Sequence, residues 1–113
     1  MHEMALCEGI LTALEQNARD EGYTRVKRVR LEIGALAGVE TEAMRFGFDV
    51  VMKGSLADGA RLEITDVPGA AWCMQCMKTV PVKQRYDACP DCSSYQLQVT
   101  GGEEMKIKEL EVD

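Results

Sequence analysis

The stretch Cys73-Met74-Gln75-Cys76 and, after twelve intervening residues, Cys89-Pro90-Asp91-Cys92 decides how the rest of the chain is organised. Each C-x2-C turn can aim two thiolates at one ion. Two such turns supply four sulfurs in a closed tetrahedron, the arrangement of a structural zinc site. The gap is shorter than the commonest spacing of about 15–20 residues, yet it accommodates a short hairpin through Val80 and Val82. Two other chemistries use related motifs: a rubredoxin-like iron site has the same four-thiolate geometry, and a thioredoxin-like redox pair needs only one C-x2-C, at a strand-to-helix junction. Composition favours zinc. Residues 70–100 hold four cysteines, two of the three prolines and the only tryptophan, with few aliphatic residues beyond Val80, Val82, Leu97 and Val99. A bound ion has to hold such a segment together, and zinc-finger binding energies of about 10 kcal/mol or more suffice for that. Four thiolates leave no position open for water or substrate, so the ion is structural.

On the N-terminal side of this module the apolar periodicity changes twice. From Met4 to about Glu21, Leu6, Ile10 and Leu14 recur at intervals of four, with Cys7, Leu11 and Ala18 on the same stripe, which predicts an amphipathic helix ended by Gly22. Cys7 reads as a small buried apolar residue of that stripe. Val29, Leu31 and Ile33 then alternate with Arg28, Arg30 and Glu32, a half-buried strand. A second helix follows, capped by Thr41 and carrying Met44, Phe48 and Val51; a second strand through Leu62 and Ile64 ends at Pro68 and Gly69. Beyond Gly101 and Gly102, Met105 and Ile107 lie on one strand face but Leu110 and Val112 on the opposite parity, which predicts a bulge near Lys108 and Glu109. The expected fold is therefore α+β: two helices on a small three-stranded sheet, residues 1–69 and 101–113, with an inserted zinc-ribbon-like module at 70–100.

Composition excludes several functions. With 113 residues the chain has the size of one domain, and it carries 19 acidic against 13 basic side chains, a formal charge of −6. Nucleic-acid binding draws mainly on clustered Lys and Arg, so this balance argues against it; together with the lack of a basic, aromatic-bearing face, it also counts against the alternative reading, a zinc-ribbon adaptor that binds protein or nucleic acid. No apolar run reaches the ~20 residues that span a bilayer, and His2, Glu3 and Glu8 interrupt any signal-peptide pattern. A cytoplasmic location and no membrane partner are expected, a reducing setting in which clustered cysteines bind metal.

His2 is the only histidine. The amine of Met1, the backbone nitrogen of His2 and its imidazole can close two chelate rings around one metal, and the Glu3 carboxylate can complete a planar set. Such nitrogen-rich square-planar geometry selects Ni(II) or Cu(II). No nucleophile, base and orienting group occur as a set, so no enzymatic activity is expected.

The opening Met1-His2-Glu3-Met4-Ala5-Leu6-Cys7, the segment Leu31-Glu32-Ile33-Gly34-Ala35-Leu36, the Val39-Glu40 pair before a helix, the two knuckles and the closing Ile107–Val112 strand together resemble the HypA/HybF family of hydrogenase nickel-insertion proteins. The resemblance covers essentially the whole chain, in order. It implies a nickel metallochaperone that binds Ni(II) at His2 and Glu3, with the Met1 amine and, at the start of the second helix, Glu40 as further donors. It also implies zinc at Cys73, Cys76, Cys89 and Cys92. The implied partners are a HypB-type GTPase and the [NiFe]-hydrogenase large subunit precursor, for a monomer or homodimer. Many members carry histidine directly after a knuckle; Met77 and Ser93 stand there in this chain, so a histidine-for-cysteine ligand exchange is closed to it.

Overall fold

The computed structural model describes residues 3–113. Its elements are α1 (Glu3–Glu21), β1 (Val26–Gly34), α2 (Thr41–Met52), β2 (Arg61–Val67), β3 (Gly69–Cys73), β4 (Lys78–Val82), β5 (Leu97–Gly101) and β6 (Met105–Val112). The strands form two three-stranded sheets, ordered β2-β1-β6 and β4-β3-β5. The fold is thus α+β, and the cysteine segment has a sheet of its own rather than a lone hairpin. By contact density the chain divides into two compact units, one of Met1–Leu31, Val39–Ile64 and Ile107–Asp113, the other of Glu32–Gly38 and Thr65–Lys106. Among the described residues no helix is long and apolar enough to cross a membrane.

In the first unit the predicted stripes are buried at Cys7, Ile10, Leu14 and Ala18 of α1, Val26, Val29 and Leu31 of β1, and Met44 and Phe48 of α2, while at the end of α2 Met52, four residues after Phe48, is buried in place of the expected Val51. The helices approach closely because Gly47 has no side chain; a Cβ there would stand 3.2 Å from the Cys7 sulfur. That sulfur faces the Met44 carbonyl oxygen at 3.5 Å. Cys7 is fully buried, as its place on the stripe predicts. Gly22, at φ 80°, ends α1, its N–H donating to Ala18 O at 2.8 Å.

Backbone bonds at the two ends of β1 give the strand directions. Val26 N–H donates to Leu56 O and Ala35 N–H to Val67 O, so β2 runs with β1, and a parallel pair needs a crossover, which α2 supplies. On the other side Gly34 N–H donates to Glu104 O and Asp113 N–H to Arg25 O, so β6 is antiparallel to β1. Burial on β6 changes parity between Ile107 and Leu110, leaving Lys108 and Glu109 both exposed. The two end bonds share one register. In β1, too, burial changes parity, between Val26 and Val29. The solvent face of this sheet carries a charge network centred on Arg28, which lies 2.8 Å from Glu63, 3.2 Å from Glu109 and 3.3 Å from Glu111.

One local expectation is corrected. Helix α2 is capped by Glu40, not Thr41: Glu40 is extended (φ −90°, ψ 115°) and its carboxylate accepts from Glu42 N–H at 3.3 Å and Ala43 N–H at 2.7 Å. The longer side chain folds back over the first turn and leaves Thr41 inside the helix.

In the second unit Leu36, Ala71 and Val82 form one small core with Leu97 and Val99 packed against it. The chain crosses itself tightly at Gly34 and Gly102, where a Cβ on Gly34 would fall onto the Gly102 carbonyl group. Leu36 N–H donates to Gly102 O at 2.8 Å across the same crossing.

Candidate metal centre

The four sulfurs of Cys73, Cys76, Cys89 and Cys92 lie within 4.8 Å of one another. Cys73 closes β3 and sits opposite Lys78 of β4 and Leu97 of β5. The first knuckle is therefore the turn between β3 and β4. Both knuckles use the same backbone device: Met77 N–H returns to Cys73 O at 2.8 Å and Ser93 N–H to Cys89 O at 2.9 Å. The residues that close these turns, Met77 (φ 56°) and Ser93 (φ 64°), are left-handed. The second knuckle is tied down by Cys89 N–H donating to Ser94 O at 2.8 Å, and Met74 N–H reaches Gln96 O at 3.0 Å. Beneath the sulfurs, Val80 packs with Cys73 and Cys89, with Leu97 at the margin.

This arrangement fits a tetrahedral ion. With metal–sulfur bonds of about 2.3 Å, a tetrahedron has sulfur–sulfur edges of about 3.8 Å. Here Cys73 and Cys92 are 3.6 Å apart and Cys76 and Cys89 3.9 Å. Those distances are far too long for disulfides, and all five cysteines are free thiols. Backbone N–H groups already point at the sulfurs, from Cys76 to Cys73 at 3.3 Å and from Asp91 to Cys89 at 3.4 Å. The Cys76 N–H bond holds the Cys73 thiol down to about 7, while the Cys92 sulfur and burial push Cys76 up to about 12. Clustered thiols cannot all ionise together, and the remaining protons leave only when a cation takes their place.

Of the residues expected at the nickel end, Met1 and His2 lie outside the described residues. Glu3 is the first residue of α1, and its carboxylate accepts the Glu40 N–H at 3.1 Å. The structure therefore brings Glu3 to the start of α2, beside the residue that caps it. Sequence reasoning missed an ion pair between the knuckles, Lys78 Nζ to Asp91 Oδ2 at 2.6 Å. Its only signal was a lysine two positions after the first knuckle and an acid inside the second.

Comparison with known proteins agrees across the chain. The family model described as "Hydrogenase/urease nickel incorporation, metallochaperone, hypA" matches residues 1–112. A hydrogenase maturation factor HypA of Alkalilimnicola ehrlichii is 64% identical over 113 residues, covering all of both chains. One from Azotobacter chroococcum is 58% identical with the same coverage. Among solved structures, the solution structure of the Ni metallochaperone HypA from Helicobacter pylori matches with TM-score 0.73 and 24% identity, over 99% of this chain and 97% of that one. The match spans both knuckles and the helical part, so it does not rest on the knuckles alone. The chain belongs to the HypA family of nickel-incorporation metallochaperones for hydrogenase maturation.

Proposed function

We propose that this chain binds Ni(II) through His2, Glu3 and the Met1 amine and delivers it to the [NiFe]-hydrogenase large subunit precursor, working with a HypB-type GTPase in the cytoplasm. Cys73, Cys76, Cys89 and Cys92 hold a structural Zn2+. The observation that carries the reading is the family match over residues 1–112, which takes in the first three residues and all four cysteines. The division of labour follows from the chemistry. Cargo needs a site that is selective yet shallow, with ligands a partner can replace one at a time, whereas four cysteines around one ion form a closed cage. We assign residues 1–69 and 101–113 to nickel and 70–100 to zinc.

The Glu3–Glu40 contact supports this placement of the cargo site, since it gathers two carboxylates where α1 and α2 begin. Glu40 has the smaller share, because both of its oxygens already accept N–H groups of α2. Glu3 has the larger, as the immediate neighbour of the imidazole. Acetylation of the Met1 amine tests it: nickel affinity should fall, because an amide nitrogen replaces a primary amine, and equal affinity of the acetylated and free chains would remove the amine from the ligand set. In the same titration Glu40→Gln should weaken nickel binding less than Glu3→Gln does.

A further inference from the structure

We propose that Lys78 and Asp91 form a clamp across the two knuckles that slows loss of the zinc ion, a positioning role that rests on the zinc reading of the cysteine cluster. Lys78 opens β4, two residues beyond Cys76, and Asp91 stands inside the second knuckle between Cys89 and Cys92. Their side chains meet at 2.6 Å. The backbone N–H of the same Asp91 donates to the Cys89 sulfur at 3.4 Å. The ion pair thus links the strand leaving the first knuckle to the turn that hydrogen-bonds a sulfur of the second.

Charge adds to geometry. Four thiolates around a divalent cation leave an anionic cage, and Lys78 is a cation that interacts electrostatically with both Cys76 and Cys89. Asp91 fixes where that cation sits. As an ordinary surface pair it would contribute little, for its side chains are 57% and 50% exposed. Its consequence is at the ion instead, since removing the groups that orient metal ligands typically costs about 10–100-fold in metal affinity. Half exposure places this pair at the lower end of that range.

The test uses the full-length chain loaded with zinc, challenged with excess chelator, and follows release with a metal-sensitive dye. Lys78→Met should release zinc about tenfold faster than the parent at low salt. In an Asp91→Asn background the same lysine change should matter by no more than about threefold, because the clamp is already open and only the through-space charge remains. Lys78→Arg, which keeps charge and reach, should stay near the parent rate and guards against misreading a folding defect. Equal release by Lys78→Met and the parent, or the same factor in both backgrounds, would overturn the clamp. A parent protein that holds no zinc before any substitution would instead overturn the zinc reading.

Discussion

Cys7 and Cys73 are both buried, yet their thiols are pushed in opposite directions. Burial, and then the charge of Glu3, raises Cys7, whereas the Cys76 N–H lowers Cys73 to about 7. Each thiol gains its reactive thiolate form as pH rises through its own pKa. In metal-free protein Cys73 should therefore be alkylated before Cys7, as mass-spectrometric mapping of modified peptides would show. Modification of Cys7 ahead of Cys73 would contradict the assignment. Two glycines give a second contrast at this scale. Gly9 lies in α1 with nothing within 4 Å of where a Cβ would stand, so Gly9→Ala should stabilise by up to about 1 kcal/mol. Gly47→Ala would place its Cβ 3.2 Å from the Cys7 sulfur and should destabilise by about 1–3 kcal/mol through overpacking. Urea unfolding of both variants measures the signs; a stabilising Gly47→Ala would mean that the helix pair yields more easily than its packing suggests.

At the scale of elements, what was legible in the sequence is what periodicity encodes. α1, β1 and α2 show their buried faces as repeats of three to four or of two, and the two knuckles show by their spacing the sulfur cluster they form. β3 was hidden, because Gly69-Ala70-Ala71-Trp72-Cys73 has small residues where a strand usually shows β-branched ones; it is a strand by virtue of its pairing with β4 and β5. The Glu40 cap was hidden too, since Thr41 is the better cap by local preference and the tertiary contact with Glu3 has no local signature. On the charged face of that sheet, hydrogen bonding by Arg28 holds the Glu63 carboxyl below its usual range. Because the folded-state value is lowered, the stabilisation is present above the ordinary carboxylate range of about 4.3 and is lost as pH falls through the lowered value. Glu63→Gln should therefore be less stable than the parent at neutral pH, with the gap closing in acid. Chemical denaturation across that pH range tests this, and a constant gap would show that Glu63 matters by packing alone.

At the scale of the whole molecule, the proposed function asks opposite things of two metals. In that proposal zinc, in a cage whose protons leave only as the ion enters, would keep residues of the second unit folded, while nickel would be held where a partner can take it. The four-cysteine cluster is geometrically complete within the described residues, and the family is established across the chain. Everything particular to the cargo then turns on the nickel ligands at the N-terminus. Nickel titration of the tag-free chain beside its His2→Ala variant, with zinc quantified in parallel, probes them without intermediaries. The expected outcome is one retained zinc per chain in both proteins and one additional, weaker nickel in the parent alone. Undiminished nickel binding by the His2→Ala variant would contradict the assignment of His2 as a ligand and, with it, the N-terminal cargo site.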